Sequence, residues 1–436
     1  MSQSSASQMN ANQANANQAN ASQANASQQT LDILSGLIDR AKKHGAEAAD
    51  AVGYQATSVT ISQRLGKPEH TERAEAADVG LRVFIGKQMA MVSSADTSPE
   101  ALDELAARAV DMAKAVPADP HAGLADPDQL AANFPELDLA DESEPDEATL
   151  AARAAEAEEA ALAVKGVENS EGADASYSES TVAMVATNGF SHSYHSTGSS
   201  IAASVIAGTG EAMETDYDYT RAIYGSDLRA AKDVGTRAAE RAVARLGARK
   251  AQTGQVPVIY DQRVSSSLVS HLLGAINGSS IARGTSFLKD RMGDQLFRSE
   301  ITITDDPHIK RGLRSKPVDS EGLANGARAL IDEGRLTTWL LDLRSARQLG
   351  LASTGHASRG ITSPPSPSPT NIALMPGQMT PEELIADIEE GFLVTSMMGS
   401  SVSLVTGDYS RGASGFWIEK GKITFPVNEV TVAGNL

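Results

Sequence analysis

The stretch SLVSHLLGAINGSS, Ser267 to Ser280, places His271 in an apolar run of helical character. A zinc-protease helix needs a second histidine to share the metal and a glutamate to deprotonate the metal-bound water. The residue after His271 is Leu272, and Ile276 stands about a turn further on. An aliphatic side chain neither ligates a cation nor accepts a proton. No other His, Asp or Glu lies between Arg263 and Lys289. The residues therefore favour a helix histidine bonded to a neighbouring backbone group or water over a metal ligand.

The chain holds 8 histidines. His192 and His195 lie three apart in FSHSYHS, which puts them on opposite faces of a strand and makes them poor joint ligands. His44, His70 and His121 fall in turns or connectors and are expected at the surface, and His308 follows the turn signature Asp305-Asp306-Pro307. His356 sits in STGHASRG, read as a mobile loop ahead of SPPSPSPT and a candidate for peptide or partner contact. In LVTGDYSRGASG, Asp408, Tyr409, Ser410 and Arg411 stand between two β runs. Arg411 could clamp a carboxylate, including a peptide terminus, through paired hydrogen bonds. The alternative is a turn brace between Asp408 and Arg411. There is no G-x-S-x-G elbow, no P-loop and no Ser-His-Asp order.

Composition narrows the function further. Of 436 residues, 37 are Lys or Arg and 56 Asp or Glu, a net charge of −19, which disfavours direct binding to a nucleic-acid backbone. Without cysteine, disulfides, thiolate nucleophiles and Cys-ligated metals are excluded, and a reducing compartment fits. The start of the chain has neither a basic cluster nor an apolar stretch, and the uncharged runs 180–210, 264–282 and 391–407 are broken by Ser, Gly, Asn or His. A cytoplasmic protein with no membrane contact is expected.

These residues need elements to position them. Residues 1–29, an Asn/Gln/Ala-rich repeat, have almost nothing apolar to bury and are expected to be disordered. A helix should begin at Thr30 as its cap and end at Gly45. Strands and the helix SPEALDELAARAVDMAKAVP, capped by Ser98, complete a first unit, 30–117. An acidic, proline-rich connector, expected to be a solvated surface segment, opens a second unit, 118–247. That unit runs helix, strands with an Asn188-Gly189 hairpin turn, then a closing helix. Residues 248–436 read as many short β runs with a few helices, one of them TPEELIADIEEGFLVTSMM. The fold class is α+β: an N-terminal α/β portion of two helix–strand–helix units, then a mostly β domain.

Four segments carry a family resemblance: HLLGAINGSSIARGTSFL, DPHIKRGLRSKPVDSEG, TTWLLDLRSARQLGLASTGHA, and EELIADIEEGFLVTSMMGSSVSLVTGDYSRGASGFWIEKGKITFPVNEVTVAGNL. From Thr30 onward the chain resembles the TldD/PmbA family, also called modulator of DNA gyrase, and within it the PmbA (TldE) branch. The resemblance implies a cytosolic zinc-dependent protease assembled as a TldD–TldE heterodimer, associated with maturing microcin-type peptides and degrading unstructured peptides and antitoxins. In that family the TldD subunit carries an HExxxH helix and a further cysteine ligand. His271 matches the first histidine, Leu272 stands for the glutamate and Ile276 for the second histidine; the cysteine has no counterpart, and Arg283 matches a shared arginine just downstream. Members usually continue some fifty residues past the AGNL that ends at Leu436, so an exposed sheet edge or an opened core is expected there.

The expected role is a non-catalytic subunit with no cofactor of its own, pairing with a zinc-bearing TldD-like partner or with itself and holding unfolded peptide. The alternatives are a stand-alone hydrolase that gathers His271 with His308 or His356, and a peptide-binding or gyrase-modulating adaptor.

Overall fold

The computed structural model describes residues 25–436. The expectation of disorder for residues 1–24 lies outside the described residues. The first helix, α1, already runs through 25–44, so 25–29 are helical and Thr30 lies inside the helix rather than capping it. Thr30 is buried, and its hydroxyl donates to the Ala26 carbonyl one turn back at 3.0 Å. Leu34, Leu37, Ile38 and Ala41 form the buried stripe, and Gly45, at φ +109°, ends the helix where a side chain would be strained.

Long antiparallel strands follow: β1 (Ala48–Arg64), β2 (Lys67–Ile85) and β3 (Gln88–Ser94). Helix α2 (Pro99–Ala115) starts at Ser98, whose hydroxyl accepts from the Ala101 amide, and buries Leu102, Leu105, Ala109 and Val110. After the connector come α3 (Glu147–Leu162), β4 (Val167–Ala186), β5 (Ser191–Ala207), β6 (Glu214–Ala222) and α4 (Ala231–Ala244). The β4–β5 turn is the expected Asn188-Gly189 hairpin, with Gly189 at φ +96°. All six strands join one sheet, in the order β3-β2-β1-β4-β5-β6, because β1 pairs with β4 over 50–63 and 173–186. Helices α1 and α2 pack over one end, around Leu34, Leu81, Val83 and Leu105. Helices α3 and α4 cover the other, around Ile61, Leu150, Ile201 and Val234. Glu158 of α3 is buried, and its carboxylate accepts from the Leu65 and Gly66 amides at 2.7 and 2.9 Å, pinning the β1–β2 hairpin tip.

The connector is for the most part the exposed segment expected, but it is anchored at a few points. It is threaded against the fold by its few apolar residues, Ala122, Ala125, Leu137 and Leu139, which are buried. Arg347 donates to the Gly123 and Leu124 carbonyls at 2.8 and 2.6 Å, and the Ala131 amide donates to Gly322. Backbone that is buried must find partners, and here the C-terminal part supplies them.

The remaining elements are β7 (Val258–Tyr260), α5 (Gln262–Ala275), α6 (Gly278–Ala282), β8 (Ile303–Asp305), β9 (Arg328–Asp332), β10 (Arg335–Leu336), α7 (Leu343–Leu349), β11 (Ala357–Ser358), β12 (Ser366–Pro367), β13 (Ile372–Leu374), α8 (Pro381–Ala386), β14 (Glu390–Val402), β15 (Asp408–Glu419) and β16 (Lys422–Asn435). They build two four-stranded sheets, β10-β9-β8-β13 and β16-β15-β14-β7, and the pair β11-β12. The predicted helix over TPEELIADIEEGFLVTSMM stops at Ala386, and from Glu390 the chain is β14. The reason lies in its apolar spacing: Phe392 and Val394 alternate inward against Trp417 and Val427, a two-residue period that a helix cannot present to one surface. The fold is α+β, as the sequence implied.

A buried ionic cluster joins the N-terminal sheet to the C-terminal part. Arg82 on β2 donates from Nε to Asp50 on β1 at 3.0 Å, and Arg359 donates to the same carboxylate. Burial pushes the Asp50 carboxyl up, but Arg359 and Arg82 outweigh it and hold it below the ordinary range. Glu321 lies 4.0 Å from Arg82 and accepts from the Leu343 amide at 2.8 Å. Burial pushes its carboxyl up to about 8, opposed by Arg82 and reinforced by Asp319.

Two predictions follow from this packing. A Cβ on Gly235 of α4 would sit 1.8 Å from the Ala157 carbonyl oxygen of α3, so Gly235→Ala must push the helices apart. It is expected to lower stability by about 1–3 kcal/mol in urea unfolding. For Glu321, folding raises the pKa from an ordinary 4.5, so its contribution is complete below that value and is lost as pH rises through about 8. The stability gap between Glu321→Gln and the parent protein should therefore widen in favour of the variant from pH 5 to pH 9, read by thermal unfolding at each pH.

Candidate functional site

Helix α5 lies between the two C-terminal sheets. Asp261 caps it, its carboxylate accepting from the Arg263 amide at 3.0 Å. One face carries Leu272, Ala275 and the capping residue Ile276 into the core with Ile303, Leu330, Ile331 and Trp339. Leu272 is 8% exposed and Ile276 0%. Leu272 and Ile276, four apart, share that face, while His271 is turned about 100° away from Leu272. The three positions of the degenerate motif do not converge.

His271 instead meets Tyr409, edge to face, with ring centroids 5.9 Å apart. Its Nε2 is shielded from solvent and has no hydrogen-bond partner among the described residues. Of the two partners expected for this histidine, a neighbouring backbone group or water, the backbone group is not found among the described residues. Burial, with Arg411 nearby, holds the imidazole below its ordinary pKa, so it is neutral at pH 7.

The stretch 408–411 is the start of β15, not a turn, so alternate side chains face opposite ways. Tyr409 and Arg411 point toward α5, and Asp408 and Ser410 are exposed. The expected Asp408–Arg411 brace does not form: Asp408 accepts from the Thr406 hydroxyl at 2.6 Å and from Asn435 at 3.3 Å. The Tyr260 hydroxyl, at the end of β7, donates to the Tyr409 hydroxyl at 3.2 Å. Burial, with Tyr409 next to it, pushes the Tyr260 phenol above its usual range. Sequence reasoning missed Tyr260; its signal was a tyrosine ending a β run directly before the His271 helix.

Other candidates lie elsewhere. Arg283 caps α6 through its amide, which donates to the Ser279 carbonyl at 3.2 Å, and its side chain is exposed. His356 is 4% exposed, which corrects the reading of a mobile loop. Its Nε2 lies 3.2 Å from Asp305 and its Nδ1 2.8 Å from the Thr354 hydroxyl. Asp305 is fully buried and also accepts from the Thr370 amide, so a buried carboxylate there demands donors and His356 is one of them. His308 pairs with Asn325 at 2.8 Å. His271, His308 and His356 thus each have their own surroundings and form no joint site.

A divalent cation does not fit at His271. Leu272 and Ile276 are committed to the core, and the groups facing the imidazole are a phenol and a guanidinium, whose charge repels a metal. Among the described residues no three His, Cys, Asp or Glu gather with metal-binding geometry, and no helix is long and apolar enough to cross a membrane.

Three family models match the chain: PmbA/TldA metallopeptidase domain 1 over residues 49–113, the central domain over 140–246 and the C-terminal domain over 253–436. Metalloprotease PmbA of Escherichia coli O157:H7 is 39% identical over 409 residues, 93% of this chain and 87% of that relative. Among solved structures, a candidate modulator of DNA gyrase from Bacteroides thetaiotaomicron superposes with a TM-score of 0.86 at 27% identity, over 93% of this chain and 90% of the other. TldE from Thermococcus kodakarensis superposes at 0.83 with 20% identity, over 92% and 91%, a likeness of fold.

Rebuilding the motif tests the placement of α5. Leu272→Glu combined with Ile276→His would put a carboxylate and an imidazole into the apolar core without partners. Stability is expected to fall by about 3 kcal/mol or more, and metal analysis of the purified variant should find no stoichiometric zinc.

Proposed function

Because the chain belongs to the PmbA/TldD metallopeptidase family, we propose that it is the non-catalytic subunit of a TldD–TldE-type peptidase complex. Its task is to help hold unstructured peptide beside the zinc of a TldD-like partner, in the cytoplasm. The family includes TldD homologues as well as PmbA homologues, so a partner of that kind is available in principle. The observation that carries the reading is the orientation of α5: the two positions that would supply a base and a second ligand are core residues, packed against Ile303 and Leu330. A subunit built this way has no group to activate water at that helix, and its contribution is surface and shape.

Peptides without fixed structure are best recognised through their backbone, by strand addition with little demand on sequence. The direct nucleic-acid reading of gyrase modulation is disfavoured by the net charge of −19.

The test is reconstitution with a TldD homologue that carries the HExxxH helix. An unstructured peptide should be cut by the mixture and not by this chain alone, the two proteins should co-elute, and a chelator should abolish the activity. Cleavage by this chain alone that is lost on chelation overturns the proposal.

A further inference from the structure

Around His271 two donors, on Arg411 and Tyr409, and the imidazole Nε2 itself lack an adequate partner. Arg411 forms no ion pair or hydrogen bond with the described residues, and its Nε is closed off from solvent. Other partly buried arginines, such as Arg263 with Asp216 at 2.7 Å and Arg245 with Glu214 at 3.1 Å, are paired, although Arg328 shares the unpaired condition. The Tyr409 hydroxyl, having accepted from Tyr260, has only the Met397 sulfur, at 3.8 Å, to donate to. A thioether is a weak acceptor. His271 presents the third unsatisfied group, Nε2. The Nε of Arg411 and the Nε2 of His271 are shut off from water without a partner, and each such unmade hydrogen bond is unfavourable, while the two outer nitrogens of the guanidinium stay open to an incoming group.

The ligand that resolves all of this at once is acceptor-only, anionic and planar. A cation would meet Arg411, and an apolar group would leave the donors unpaired. A carboxylate offers two oxygens to a guanidinium fork and further lone pairs to a phenol or imidazole. We propose that Arg411, Tyr409 and His271, with Tyr260 orienting Tyr409, form a carboxylate-binding subsite that takes an acidic group of the peptide substrate. A groove of about 440 Å³ runs along this end of β15, lined by Ser401, Val402, Ser403, Asp408, Tyr409 and Ser410; neither His271 nor Arg411 lines it. That the carboxylate belongs to a peptide rests on the function proposed above; the recognition of a carboxylate does not.

The carboxylate can come from a chain terminus or from an Asp or Glu side chain. Fluorescence anisotropy with the full chain separates them, using one N-terminally labelled, unstructured peptide of uncharged side chains in three forms: free acid, C-terminal amide, and amide with one internal Glu. The free acid should bind at least ten-fold more tightly than the plain amide. If the Glu-containing amide matches the free acid, the subsite takes side-chain carboxylates; if it matches the plain amide, the subsite reads the terminus. Arg411→Met should erase the discrimination, and Arg411→Lys, which keeps the charge but not the fork, should retain part of it. Thermal unfolding checks that both variants fold. Acetate should raise the melting midpoint of the parent protein and not that of Arg411→Met.

Equal binding of all three peptides, binding of none of them, or discrimination that survives Arg411→Met overturns the subsite. The two proposals fail separately. Acid–amide discrimination without co-elution with the TldD homologue sinks the complex and keeps the subsite; co-elution and proteolysis without discrimination do the reverse.

Discussion

The apolar face that α5 turns inward is the constraint on which the C-terminal domain depends. Leu272, Ala275 and Ile276 fill the space between α5, β8 and β9, and Ile276, fully buried, also ends the helix. Removing a side chain of that size from a packed core costs about 2–5 kcal/mol, so the helix cannot rotate without losing a sizeable part of a domain's stability. That fixed rotation decides what the opposite face can do. It sets His271 against Tyr409 and Arg411, and it keeps Leu272 and Ile276 in the core, away from the imidazole.

A second constraint ties the two halves of the molecule. Asp50, shared by Arg82 and Arg359, and Glu321 beside them form a charged cluster between the N-terminal sheet and the C-terminal part. Apolar residues of similar volume could serve stability as well or better. Charges demand particular partners, and both arginines here reach the one carboxylate from different parts of the chain. The connector through Ala122 and Leu137 lies in the same seam, held by Arg347 and Lys87 through backbone carbonyls. The register between the halves is thus set by polar groups that tolerate no sliding.

The sequence was most informative where its signals were local. Gly45 as a helix stop, Ser98 as a cap and Asn188-Gly189 as a hairpin turn all stand where their chemistry put them. The α+β class and the family followed from strand and helix patterns together with long matching segments. What misled the reading was context. Asn, Ala, Ser and Gln at 25–29 carry no core-forming pattern, yet they extend α1. The run after Ala386 has helix-compatible residues, and only the sheet it joins makes it β14. His356 looked mobile because glycine and serine surround it, and burial came from Asp305, fifty-one positions earlier. Glu321 gave no signal at all and Tyr260 only the weak one of a tyrosine ending a β run, since each owes its setting to residues far along the chain.

The union of β1 with β4 has a bearing on biosynthesis. Asp50 lies opposite Ala186, so the strand that sits mid-sheet in the finished protein waits for more than a hundred further residues to leave the ribosome before its second neighbour exists. Until then β1 and β2 form a bare ribbon whose outer edge can pair with any passing strand, and closing so long a loop is entropically slow. The nascent chain is at its most vulnerable to mispairing in that interval, and a chaperone that shields a β edge would act there first.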